Sequence, residues 1–421
     1  MQSSIKLRLT VMNFLQFAVW GAYLTSMGRY LGTAGFGSEI GNFYAMQGLV
    51  SLFMPALMGI VADRWIPAQR LLGLCHLLSG MLMLGVFNYT QTDAPSYPTL
   101  FALYSLSVAF YMPTLALSNS VAYTSLDQAG LDLVKSFPPI RVFGTVGFIC
   151  TMITVSLLGF EATNMQFAVS ALISCVLAVY THTLPNCPTA PKGQSKSLVE
   201  ALGLRAFVLF KQRKMALFFI FSMLLGVSLQ ITNGFANPFI STFGEIPAYA
   251  DTFGVKYANI LISLSQLSET LCILLIPFAL RRFGIRRVML IAMVAWVLRF
   301  ALLGLGNPGS GVWLFLLSMI VYGVAFDFFN VSGSLFVDQE TDPSIRSSAQ
   351  GLFMIMTNGI GATLGSLGAQ AVINHFVYSE HDTTAILAGW SMSWYVFAAY
   401  AAVVAVLFAL LFRYNTVTEA K

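Results

Sequence analysis

Gly59-Ile60-Val61-Ala62-Asp63-Arg64-Trp65-Ile66-Pro67-Ala68-Gln69-Arg70 places one acid and two bases between two apolar runs. About 217 residues further on, Leu280-Arg281-Arg282-Phe283-Gly284-Ile285-Arg286-Arg287 lies in the same way between two more. Any short cytoplasmic connection tends to be basic, but a basic turn repeated at close to half the chain length also marks two like helical halves. Reading outward from the two turns, apolar stretches recur at roughly 9–28, 40–62, 71–91, 99–123, 139–160, 166–184, 215–243, 256–280, 288–306, 312–337, 348–376 and 391–412. Each is close to the ~20 residues that cross a hydrocarbon core at 1.5 Å per residue. The sequence therefore predicts an all-α integral membrane protein with twelve transmembrane helices.

Composition agrees with that reading. The chain is 57% hydrophobic and 9% charged, with a mean hydropathy of +0.76. Soluble domains carry about 25% charged residues. Lys6 and Arg8 ahead of an apolar run imitate a signal peptide, but that run contains Gln16, Trp20 and Tyr23 and lacks a small-residue cleavage site. It reads as a retained first helix.

The longest polar connection begins Pro185-Asn186-Cys187-Pro188-Thr189-Ala190-Pro191-Lys192 and goes on to Lys196, Arg205, Lys211, Arg213 and Lys214. It divides the chain into an N-terminal six-helix bundle (1–184), a cytoplasmic linker (185–214) and a C-terminal six-helix bundle (215–421). When alternate connections are assigned to opposite sides, nineteen of the 22 Lys and Arg fall on the side of the N-terminus or at its edge. Arg29 and Lys256 lie opposite, and Arg299 lies inside a span. The positive-inside rule then places both termini and the linker in the cytoplasm, which an even number of spans requires.

The net charge of +5 does not indicate nucleic acid, because the basic residues are dispersed between apolar runs rather than gathered on a polar module. Five Cys without a CxxC pair and four His without ligand spacing indicate neither a disulfide framework nor a metal site. No Walker or GxGxxG pattern in strand context supports ATP-driven transport, and no HExxH pattern supports an intramembrane enzyme. No cofactor is expected. Gly144, Gly147, Gly359, Gly361, Gly365 and Gly368 read as sites of close helix approach.

Ionisable groups in hydrocarbon cost at least about 2.5–3.5 kcal/mol, so each mid-span acid calls for a function. Of 17 acids, Glu269 and Asp327 qualify, about thirteen and fifteen residues into their spans. The structural alternative is a buried ion pair with Arg141 or Arg299. Gln266 with Glu269, Asp327 with Asn330, and Gln230 with Asn233 are each i, i+3, so each pair shares a helix face. Arg141, Thr145 and Phe148 at i, i+4, i+7 make one stripe of cation, hydroxyl and ring, unless Arg141 merely extends to lipid headgroups. Gln16, Trp20 and Tyr23 repeat that spacing in the first span. Phe326, Phe328 and Phe329 flank Asp327, with core packing as the ordinary role. Arg299 reads as structural.

Gly59 to Arg70 resembles the loop 2–3 signature of the major facilitator superfamily, although the usual second Gly is replaced around Ile66-Pro67 and Arg281 stands in the second copy where Asp is common. Phe137-Pro138-Pro139-Ile140-Arg141-Val142-Phe143-Gly144-Thr145-Val146-Gly147-Phe148, Leu229-Gln230-Ile231-Thr232-Asn233, Ser265-Gln266-Leu267-Ser268-Glu269 and Phe326-Asp327-Phe328-Phe329-Asn330-Val331-Ser332-Gly333 resemble the nucleoside:proton symporter family of that superfamily. The resemblance runs the length of the chain. It implies the major facilitator fold of two pseudo-symmetric six-helix bundles and proton-coupled nucleoside uptake across the inner membrane by alternating access. A sugar or drug transporter of the same superfamily is the alternative, and a solute sensor or intramembrane enzyme is a remoter one. The resemblance puts substrate contacts at Arg141, Thr145, Phe148, Gln230, Asn233, Gln266, Glu269, Phe326 and Asp327, expected to converge on one central cavity. Asp327 and Glu269 are the candidates for proton coupling, and Asp63 and Arg64 are expected to form a conformational latch. The partners implied are a nucleoside, a proton and the lipid bilayer, with no nucleic acid, for a protein working as a monomer.

Overall fold

Apolar segments of this length must satisfy their own backbone in hydrocarbon, and helices do so within one segment. The computed structural model describes residues 2–189, 198–201, 204–343 and 345–414, and these contain helices and no strand. Lys192, Lys196 and Lys421 of the basic-residue count, with parts of the predicted linker, lie outside the described residues.

Helix α1 (Gln2–Gly21) turns at residues 22–26 into α2 (Met27–Thr33). Pro55, in the first turn of its helix, coincides with the division of the next span into α3 (Ile40–Ser51) and α4 (Met54–Arg64). There follow α5 (Ala68–Tyr89), α6 (Tyr97–Gln128), α7 (Leu133–Leu157) and α8 (Met165–Tyr180). The later part of the chain opens with α9 (Arg213–Leu229) and α10 (Ile231–Thr242), which meet at Gln230. The helical stretch Ala258–Leu305 is two helices, α11 (258–283) and α12 (285–305), that reverse at Gly284. With φ at 75°, Gly284 occupies a backbone region that a Cβ disfavours, and so the basic turn predicted at 280–287 folds around it. Arg286 stabilises the reversal by donating to the carbonyls of Phe412 (2.6 Å) and Ala409 (2.7 Å). Then come α13 (Val312–Glu340), α14 (Arg346–Met354), a π-helical turn (Ile355–Gly361), α15 (Ala362–Phe376) and α16 (Thr383–Leu411).

Ten helical segments among the described residues are long and apolar enough to cross a membrane. One of these, Ala258–Leu305, holds two crossings, and α1 with α2 adds another, which gives the twelve that the sequence predicts.

The chain packs as two units, Met1–Phe36 with Met46–Leu202, and Gly37–Ala45 with Gly203–Lys421. The short segment 37–45 belongs to the second unit through polar bonds. The Gly41 N–H donates to Gln370 Oε1, Gln370 Nε2 donates to the Gly37 carbonyl (3.0 Å), and Asn374 Nδ2 donates to the Ser38 carbonyl (3.2 Å). In the first unit, α1 and α7 touch backbone to backbone. A Cβ on Gly147 would stand 2.1 Å from the Phe14 carbonyl oxygen, and one on Gly21 would stand 2.5 Å from that of Phe148. In the second unit a Cβ on Gly365 would lie 2.0 Å from the Val227 carbonyl oxygen. Lipid offers little solvophobic drive between helices, so such close approach is a main source of cohesion. Gly368 departs from the expectation: it faces outward with nothing within 4 Å, because its position on α15 points away from α9.

Gly147→Leu is accordingly expected to lower the thermal midpoint of the detergent-solubilised protein by several degrees or abolish folded yield, overpacking costing about 1–3 kcal/mol or more. Gly368→Leu leaves the midpoint unchanged. Size-exclusion fluorescence after heating compares the two directly.

Candidate functional site

In the first unit, α7 carries the stripe Arg141, Thr145, Phe148. The Arg141 guanidinium lies 4.0 Å from the centroid of the Phe17 ring on α1. Cation–π contact there retains the charge on an aromatic surface. Phe148 is buried and meets Trp20 edge-on, with centroids 6.4 Å apart and planes at 89°. Trp20 in turn meets Tyr111 of α6 at 5.9 Å. Thr145 is half-buried and makes no side-chain hydrogen bond among the described residues.

The predicted stripe Gln16, Trp20, Tyr23 divides three ways. Gln16 is fully buried and committed to protein partners: its Nε2 donates to Thr114 Oγ1 (2.7 Å) and its Oε1 lies 2.7 Å from His76 Nε2. Thr114 spends its own hydrogen on the Tyr111 carbonyl, so the Gln16 amide must donate and His76 Nε2 must carry a hydrogen. Tyr23 packs against the rings of Tyr104 and Phe167 as core. Trp20 alone adjoins Phe148 and Tyr111, and its buried Nε1 has no hydrogen-bond partner among the described residues. Of the three, it is the one left with a donor to offer.

In the second unit, the break at Gln230 between α9 and α10 turns two amides toward each other, and Asn233 Nδ2 donates to Gln230 Oε1 at 2.8 Å. Helices α11 and α13 meet where a Cβ on Gly323 would stand 2.5 Å from the Ser268 carbonyl oxygen. Ser268 precedes Glu269, and Gly323 lies one turn before Asp327. This contact brings the two acids within electrostatic range of each other. Gln266 on α11 is buried, and Glu269 is half-buried.

Asp327 is 5% exposed, and its Oδ2 has no hydrogen-bond partner among the described residues. Arg299 makes no ion pair among the described residues, so the structural role weighed for Asp327, a salt bridge to Arg299, is not formed. Phe326 stacks on Tyr322 at 5.6 Å with planes 14° apart. The Arg299 guanidinium lies over Tyr322, 4.5 Å from its centroid. Phe329 is fully buried against Phe218 and Phe353, as core. Tyr322 was not singled out in the sequence; a tyrosine one turn before a Phe-Asp pair gives only the faint signal of a ring at i, i+4 to Phe326. Asp63 and Arg64 are the last residues of α4.

A buried carboxyl group with an empty acceptor position can bind a proton or accept a hydrogen bond from a hydroxyl. It contrasts with Glu161, equally buried but satisfied by Arg29 Nη1 at 3.4 Å and by the Ser156 hydroxyl. Glu161→Gln removes the charge that Arg29 and the Ser156 hydroxyl bind and is expected to lower the thermal midpoint by a few degrees. Asp327→Asn removes no bond, and its midpoint should equal or exceed the parent's. Parallel melting curves check both.

The sequence signature described as Nucleoside H+ symporter matches residues 3–417. Xanthosine permease of Escherichia coli (strain K12) is 49% identical over 415 residues, covering 98% of this chain and 97% of the permease. Nucleoside permease NupG of the same organism is 46% identical over 417 residues, with the same coverage. A crystal structure of an Asp-to-Ala variant of nucleoside transporter NupG superposes with a TM-score of 0.91 at 45% identity, covering 97% of this chain and all of that one.

Proposed function

We propose, from the premise that the chain belongs to the nucleoside H+ symporter family, that it carries nucleosides into the cell together with protons by alternating access. It is a multi-pass membrane transporter of the major facilitator fold and not an enzyme. The observation that carries the coupling assignment is Asp327: an acid placed in hydrocarbon, close to a second acid, with an acceptor position that no group among the described residues fills. Such a carboxyl is stabilised either by a proton or by a ligand donor, and switching between the two couples the ligands.

The nucleoside's base is matched by rings, Phe148 with Trp20 and Phe326 with Tyr322, and by the Arg141 cation. Gln230, Asn233 and Gln266 offer both donors and acceptors to hydroxyls and base edges. Thr145 adds a hydroxyl, and Glu269 and Asp327 accept from the ribose. The distribution of Lys and Arg supports an inner-membrane orientation with both termini cytoplasmic, and the protein works as a monomer. Asp63 and Arg64, at the cytoplasmic end of α4, form a latch that acts on the rate of conformational exchange.

Asp327→Asn keeps shape and some hydrogen bonding but cannot cycle a proton. In proteoliposomes it should lose uphill accumulation while retaining downhill exchange of labelled nucleoside, whereas Asp327→Ala loses both and Glu269→Gln mainly weakens binding. Accumulation by Asp327→Asn under an imposed pH gradient would transfer the coupling role elsewhere. Asp63→Asn should slow exchange at unchanged nucleoside affinity, and an equal loss of affinity would contradict the latch.

A further inference from the structure

The chain enters α9 through a 3₁₀ helix, Leu204–Lys211, to which the transport reading gives no part. At three residues per turn its side chains fall into three straight rows. Ala206 and Leu209 form one row and are buried, and the helix packs on α9 and α14. Leu204, Phe207 and Phe210 form the second, with Leu204 44% and Phe207 46% exposed. Arg205, Val208 and Lys211 form the third, with Val208 50% exposed. An apolar row left open beside a membrane span suits the boundary between headgroups and acyl chains, where water is not the main neighbour. Its rings mark the depth: Phe207 stacks on Phe210 with centroids 5.7 Å apart, and Phe210 stacks on Phe219 of α9 at 5.5 Å. Phe219 lies six residues into α9, about 9 Å along its axis.

Charge follows the same boundary. Lys211 and Arg213 are exposed at the junction with α9 and make no ion pair among the described residues, whereas Lys214 is held by Glu340. Long basic side chains run their stems along apolar surface and carry the charge out to the headgroup level. We propose that this 3₁₀ helix is an interfacial docking element for anionic phospholipid: Leu204 and Phe207 sit among the outermost acyl segments, and Lys211 and Arg213 bind the headgroup phosphates. Charge complementarity selects this occupant, because lipid phosphates are the anions that a membrane offers at that depth. The assignment holds whatever solute the carrier moves.

The test is tryptophan quenching in liposomes that hold the full-length protein. Phe207→Trp places a reporter in the open row, and quenching beyond that of the parent, which has six Trp of its own, belongs to it. Lipids brominated on their acyl chains should produce such quenching. At equal mole fraction, brominated phosphatidylglycerol should bind there about fivefold or more tightly than brominated phosphatidylcholine, fivefold being roughly the share of one basic residue at a membrane surface. Lys211→Gln with Arg213→Gln should bring that ratio close to one, and so should salt of about 0.5 M. Leu204→Trp reports on the same row if Phe207→Trp does not fold. Absence of excess quenching by either lipid overturns the proposal, since the row is then covered by the linker or by a second copy of the chain. A ratio near one in the reporter protein, or one that survives the loss of both cations, overturns it as well and leaves an apolar contact without headgroup recognition.

Discussion

Hydrocarbon gives a carboxyl group no water to lean on, and the rest of the site is arranged around how Asp327 meets that constraint. Its neighbours on α13 are rings, its charged companion on α11 is another acid, and no donor among the described residues completes it. An uncompensated carboxylate there is costly, so the group rests in a state that depends on what else is bound. That dependence is what a coupled carrier requires. A satisfied acid such as Glu161, tied to Arg29 and Ser156, holds structure and has nothing left to respond with.

The helices can present such a group only because they are held by other means. Backbone contacts at Gly147 and Gly21 join α1 to α7, and those at Gly365 and Gly226 join α9 to α15 and the π-helical turn. Helices seated this closely keep Arg141 over Phe17 and Phe148 against Trp20 without spending polar side chains on cohesion. The network of Gln16, His76, Thr114 and Ser174 is an exception in the first unit, where buried polar groups are satisfied among themselves.

Much of this was legible in the sequence, and for identifiable reasons. Span positions follow from apolar length, the reversal at Gly284 from a glycine inside a basic turn, and the choice of Asp327 and Glu269 as candidates from the cost of charge in lipid. Helical spacing says which residues share a face but not which way the face turns. Thus Gln16, Trp20 and Tyr23 looked equivalent, yet one is locked to His76, one adjoins Phe148 and one packs as core. Gly368 looked like Gly365 and faces outward instead. Arg299 read as a structural cation, and only tertiary packing reveals that its partner is the ring of Tyr322 rather than an acid. The bonding of Gly37 and Gly41 to Gln370 joins positions more than 300 residues apart, beyond the reach of any local pattern.

The central claim is that nucleoside movement is tied to proton movement. One proton carried inward with a neutral nucleoside is worth about 2.3 kcal/mol per 100 mV, enough for roughly fifty-fold accumulation. The most direct measurement is therefore labelled nucleoside uptake by purified protein in liposomes with an inside-negative potential of about 100 mV. The account predicts accumulation tens of times above the external concentration, collapsing to equality when a protonophore is added. Equal concentrations inside and outside in both conditions would contradict it and make the protein a facilitated diffusion carrier.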